Sequence, residues 1–180
     1  MNAINLQPQG GDKVLLLIDW ENVFYTLFAD FGPDKMNLDL RFKKLMAWIK
    51  EELGKLLGEC GFIFAPEHFT TYHREICIQN NLKIMICPKR QIENGEEDTV
   101  DETIIWFGKM MMEHPEVKFL CLVSGDEDYV PLLQEAEKNS IHIALVVPTL
   151  NALSTNKRIV NFIGYHPKTK KKMVFRLDQV

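Results

Sequence analysis

The feature that most narrows the fold is a set of short apolar runs spaced through the chain. Lys13 to Asp19 (KVLLLID), Gly61 to Ala65 (GFIFA), Leu82 to Cys87 (LKIMIC), Lys118 to Ser124 (KFLCLVS) and His142 to Val147 (HIALVV) each stop after a few residues. Runs of this length without polar alternation read as strands buried on both faces. Segments of helical period lie between them. An apolar-rich stretch follows Trp20 to Asn22 as far as Phe28 and breaks at Gly32-Pro33. Leu38, Phe42, Leu45, Ile49, Leu53 and Leu56 then recur at steps of three and four, an amphipathic helix with Asn37 or Asp39 as N-cap that ends near Gly58 to Gly61. Further helices are predicted over Thr71 to Asn80, Thr99 to His114, Tyr129 to Asn139 and Ser154 to Phe162. Lys89 to Glu97 reads as a polar loop, and MVFRL in the tail as an edge strand. Strands alternating with helices at this spacing imply βαβ units. The expected fold is therefore a single three-layer α/β domain around a mostly parallel sheet. The expected divisions are a flexible arm over 1–12, the domain over 13–163 and a basic tail over 164–180.

At 180 residues the chain can bury one substantial core. No apolar run approaches the roughly 20 residues of a spanning helix. The opening MNAINLQPQGGDK carries neither the charged nor the apolar region of a signal peptide. A cytoplasmic protein with no membrane partner is the expectation. Cys60, Cys77, Cys87 and Cys121 form no Cys-x-x-Cys pair, which argues against structural zinc and a disulfide framework. With 25 acids against 21 bases, a net charge of −4, the chain cannot hold nucleic acid simply by being basic.

The placing of the acids says more. Asp19 closes the first predicted strand, Asp98 and Asp101 open a helix, and Asp126 and Asp128 follow the fourth strand. In open α/β sheets, ligands bind outside the carboxyl ends of the strands, where the strand order switches direction. If strands one and four are neighbours, as in the order 3-2-1-4-5, Asp19 and Asp126 flank that crevice. Two carboxylates about 4 Å apart repel by roughly 4 kcal/mol at an effective dielectric of about 20, so such a cluster needs protons or a cation. The ligands would all be oxygens, which suits Mg²⁺ or Mn²⁺ rather than zinc. Each acid also has a structural reading. Asp128 before Tyr129-Val130-Pro131 is a sound helix N-cap, Asp126 can cap as well, and Asp98-Thr99-Val100-Asp101 looks like a variant capping box. Asp19 is harder to dismiss, because a carboxylate closing a buried strand seldom has a packing role. The sequence has no P-loop, no G-x-G-x-x-G after the first strand and no G-x-S-x-G elbow.

Taken together, Ile18-Asp19-Trp20-Glu21-Asn22, the segment Asp98 to Glu102 (DTVDE) and Val123-Ser124-Gly125-Asp126-Glu127-Asp128-Tyr129 resemble the NYN domain family, a branch of the PIN-like, metal-dependent ribonucleases. They match its I-D-x-x-N opening, its central acidic helix and its V-S-G-D-x-D-[FY] motif, in order, over about Lys13 to Phe162. The resemblance implies a PIN-like, Rossmann-like fold and acids that hold one or two divalent ions, Mg²⁺ or Mn²⁺, for hydrolysis of RNA. By position, Asp19, Asp101, Asp126 and Asp128 would be metal ligands and catalytic residues, and Asp98 a further ligand or the helix cap. Asn22 would orient Asp19 or a ligand phosphate, and Ser124 would support the loop. Where many members carry another acid two turns after Asp101, this helix continues Ile104-Ile105-Trp106-Phe107-Gly108.

The RNA, expected single-stranded, would meet Lys89, Arg90, Lys157 and Arg158, basic residues that follow predicted strand ends; Lys168 to Lys172 is a third basic patch. Trp20, Tyr129 or Tyr165 could stack bases. Two other functions stay open: a nonenzymatic RNA- or protein-binding module, and a phosphomonoesterase of the haloacid dehalogenase type, whose Asp-x-Asp motif is displaced here to Asp19-Trp20-Glu21. Self-association as a homo-oligomer is also open.

Overall fold

The computed structural model describes residues 12–69, 71–93, 95–150 and 157–179; 1–11 of the expected arm and 154–156 of the last expected helix lie outside them. The strands are β1 (Lys13–Asp19), β2 (Lys55–Leu56), β3 (Gly61–Pro66), β4 (Leu82–Cys87), β5 (Arg90–Ile92), β6 (Gly95–Glu97), β7 (Val117–Val123), β8 (His142–Val147) and β9 (Val174–Arg176). Seven of them form one sheet in the order β4-β3-β1-β7-β8-β9, with β2 beside the start of β1. Every pairing in this sheet is parallel. β1 is central because it can afford no solvent face. Val14, Leu16 and Ile18 point into one apolar cluster and Leu15 and Leu17 into the other, as the two-residue period of a strand requires.

Helices α1 (Trp20–Phe31), α2 (Leu38–Trp48) and α3 (Thr71–Gln79) cover the first face; α4 (Val100–Met112) and α5 (Val130–Lys138) cover the second. This is the expected three-layer α/β architecture, and the strand order is the one that makes β1 and β7 neighbours.

Three local expectations change. The helix beginning at Leu38, capped by the Asn37 side chain, does not run to Gly58. Its last turn, Ile49–Leu53, widens into a π-turn closed by the Gly54 N–H on the Ile49 carbonyl, and Gly54 at φ 121° ends it. Leu56 keeps its buried place through β2 instead. The segment read as a loop before α4 contains an antiparallel hairpin, β5 with β6. Of the last expected helix, the described part is one turn, Lys157–Val160. Farther on, β9 forms the sheet edge beside β8, and the buried Arg41 side chain holds the chain there by donating to the Met36 and Leu177 carbonyls.

Gly108 sets how closely α4 approaches β1. A Cβ there would stand 2.7 Å from Leu132 Cδ1 and 3.0 Å from Leu17 Cδ1, both side chains fully buried. Gly108→Ala is expected to lose about 1–3 kcal/mol to overpacking, more than the roughly 1 kcal/mol gained in helix propensity. A thermal melt reads the difference; a melting temperature equal to wild type or above it would mean that the leucines give way.

Candidate active site

The carboxyl ends of β1 and β7 stand side by side, with Ile18 opposite Val123, where the chain leaves the sheet in opposite directions. Asp19 emerges there and becomes the N-cap of α1, its Oδ1 accepting from the Asn22 N–H at 3.1 Å. Its other oxygen accepts from Ser124 Oγ at 3.3 Å and from the Tyr129 hydroxyl at 2.9 Å. Asn22 Oδ1 in turn accepts from the Gly125 N–H at 2.9 Å, and Ser124 Oγ accepts from the Asp126 N–H at 3.2 Å. The two strand-end loops are thus laced together through side chains. Ser124 supports the loop as the family resemblance implies.

These elements enclose an open cleft of about 360 Å³ lined by Asp19, Glu21, Asn22, Asp98, Asp101 and Asp126, among others. Asp101 reaches it from the first turn of α4, and Tyr129 donates to its Oδ1 at 2.5 Å. A phenol carries one proton, so Asp19 and Asp101 cannot both be satisfied as ionised acceptors of that hydroxyl. The second contact is made when one carboxyl keeps its own proton and donates to the phenol oxygen. Burial pushes the Asp19 carboxyl up from 3.8 to about 6, against the lowering effect of its hydrogen bonds. Burial likewise raises Asp101, helped by the charges of Asp126, Asp128 and Asp98. Glu21 is pushed up to about 7 by burial, then by the hydrogen bond and charge of Asp98. Burial is the common first cause, and neighbouring negative charge adds to it at all three.

Of the residues singled out in the sequence, Asp19, Asn22, Asp98, Asp101 and Asp126 share this cleft. Asp128 does not line it; exposed beyond the rim, it acts on Asp101 through its charge. The cap after β7 is Asp126, which accepts the Asp128 N–H at 3.1 Å, rather than Asp128 itself. Asp98 does double duty, lining the cleft and accepting the Val100 N–H at 2.8 Å, but no reciprocal capping-box bond appears among the described residues. Glu21 was passed over as a site residue, yet a helix-forming acid two residues past Asp19 lies on the same first turn and was the available signal.

The basic residues are distributed differently. Lys89 pairs with Glu96 at 3.4 Å, and its charge reaches Glu21 at the cleft. Arg90 is held by Glu97 and Glu102. Arg158 stands 3.9 Å from Glu127, and the side chain of Lys157 lies outside the description. Tyr129 is fully buried and Trp20 nearly so, so neither is a surface platform for a base. Tyr165 is exposed, but the turn between it and Lys172 precedes β9 and stands by the amino ends of β7 and β8, away from the cleft.

No helix among the described residues is long and apolar enough to cross a membrane. None of the curated proteins compared with the chain matches it. A crystal structure of a protein of unknown function from Vibrio parahaemolyticus superposes with a TM-score of 0.62 at 19% identity, covering 85% of this chain and 93% of that one, which bears on the fold alone. The NYN domain profile matches residues 13–163, the stretch that contains β1, α4 and the loop after β7 and so all the cleft acids. The chain belongs to the NYN domain family, one of the PIN-like nuclease families.

Proposed function

We propose that the chain is a divalent-metal-dependent ribonuclease whose Mg²⁺ or Mn²⁺ is held in the cleft by Asp19, Asp101 and Asp126, with Asp98 and Glu21 beside them. The observation that carries this is the gathering of five carboxyl groups in one cleft at the switch point, several of them raised by burial and mutual repulsion. The donors fit such an ion in kind, being hard oxygens throughout. Among the described residues no three acids already converge on one point, so the carboxylates would have to draw together around the ion. When bound, the ion would supply charge neutralisation and water activation for phosphodiester hydrolysis.

The chain's own residues contribute orientation. Asn22 and Ser124 fix the two loops relative to each other, which sets the separation of Asp19 and Asp126. Tyr129, its ionisation suppressed by burial and by both carboxylates, keeps its proton and aligns Asp19 with Asp101. Incubating labelled single-stranded RNA with and without EDTA tests the reading: cleavage that disappears with EDTA is expected, and EDTA-resistant cleavage contradicts it. A second reading, a nonenzymatic RNA-binding module, is favoured by the Tyr129 bond that ties the inner oxygens of Asp19 and Asp101 together; RNA binding without cleavage would select it.

Asp98 and Asp101 lie one turn apart and separate capping from coordination. A serine also accepts a backbone N–H, so Asp98→Ser is expected to cost a few tenths of a kcal/mol and to keep part of the activity. Asp101→Ser is expected to lose activity and the thermal response to Mg²⁺ together. The opposite pattern in paired melts and cleavage assays would move the ligand to Asp98.

A further inference from the structure

Beside the acidic cleft the surface opens a smaller pocket of about 190 Å³, walled by the rings of Trp20, Phe24, Tyr25, Phe69 and His73. Glu21 and Tyr25 line both spaces, so the two adjoin. The rings are fixed by one another. Trp20 stacks on Phe24 with centroids 5.4 Å apart, meets Phe69 edge-on at 5.0 Å and lies 4.5 Å from His73. Phe24 in turn stacks on Phe28 at 5.9 Å, giving a row at residues 20, 24 and 28 along α1 that starts buried at the cleft and ends 45% exposed. Tyr25, at right angles to Phe24 with centroids 5.5 Å apart, is 55% exposed and lines the pocket.

A preformed aromatic wall needs little ordering to bind a planar ring, and its volume is below the roughly 300–1,000 Å³ of pockets that enclose larger ligands. With a cation in the adjoining cleft to take an anion, an aromatic partner that reaches both spaces is a nucleotide. We infer that this pocket receives the base next to the phosphate that a cation would hold in the acidic cleft, with Tyr25 as the stacking ring of a base subsite for single-stranded RNA and the buried Trp20 and partly buried Phe24 as the wall behind it. The inference rests on the ribonuclease reading above and adds that unpaired bases, rather than the sugar-phosphate chain alone, position the substrate; a paired base is already stacked in its helix and cannot enter.

The test compares binding of a fluorescent single-stranded RNA oligonucleotide and of an abasic ribose-phosphate strand of equal length, to wild type, Tyr25→Ala and Tyr25→Phe. Tyr25 sits on the outer side of α1, and alanine is a good helix former, so the variants are expected to fold, as a melt verifies. Stacking predicts that wild type prefers the base-bearing strand. It also predicts that Tyr25→Ala raises the Kd for RNA by roughly 5- to 150-fold without changing that for the abasic strand. Tyr25→Phe should bind as wild type does. RNA binding by wild type that Tyr25→Ala leaves unchanged, or weakens equally for both strands, overturns the base subsite while leaving the nuclease reading standing. No RNA binding by wild type overturns both. Self-association of wild type that Tyr25→Ala abolishes would assign the pocket to a second copy of the chain and overturn the inference as well.

Discussion

Asp126→Asn and Asp19→Asn are each expected to lower RNA cleavage by at least about a hundredfold, since even groups that only orient a metal's ligands are worth 10–100-fold. Both proteins should keep a cooperative melt. Asp126 caps a single 3₁₀ turn with one oxygen, and Asp19 caps α1; asparagine can accept both backbone N–H groups. What asparagine cannot supply is the charge and, at position 19, the second oxygen that accepts from Ser124 and Tyr129. Loss of the cooperative melt in either variant would make that aspartate structural, and wild-type cleavage by both would remove the acids from the chemistry.

The second expectation joins pH, stability and cation binding at Asp19. Its carboxyl ionises near 3.8 when the chain is unfolded and near 6 in the folded protein, because burial disfavours the charge. Between those values the folded state holds the extra proton, so this group's contribution to stability is complete below about 3.8 and is lost as pH rises through about 6. The loss is on the order of 3 kcal/mol. Other acids are lowered on folding and act in the opposite sense, so the quantity to measure is the difference between wild type and Asp19→Asn across pH 4 to 8. That difference should turn in favour of Asn as pH rises. At neutral pH a divalent ion should offset the cost of that buried charge. At a hundredfold excess over its dissociation constant the stabilisation is about 2.7 kcal/mol, or roughly 5–10 °C in melting temperature for a chain of this size. Asp126→Asn should respond much less. Equal shifts in both proteins would mean that the ion binds elsewhere.

What could be read from the sequence follows what is local. β1 and β8 ended where their apolar runs ended, because a strand buried on both faces needs apolar side chains at every position. Asn37 announced its helix as a cap. The hairpin β5–β6 was missed although Asn94-Gly95 is a turn signal, because its strands are exposed and carry no apolar pattern. The π-turn was missed because Leu56 continues the helical spacing while Gly54 breaks the helix itself. The cleft was legible as acids at strand ends. What was not legible depends on tertiary contacts: Tyr129, taken for a surface ring, is the buried link between two acids, and Trp20 proves to be the floor of an aromatic cluster. Distances of 110 and 28 residues along the chain separate Tyr129 from those partners.

The most direct test of the central claim is an anomalous difference map from a crystal of the protein soaked in Mn²⁺. The account predicts one or two Mn²⁺ peaks within the cleft, with carboxylate oxygens of Asp19, Asp101 and Asp126 drawn toward them. A well-diffracting soaked crystal with Mn²⁺ peaks only at other surfaces, or none, would contradict it.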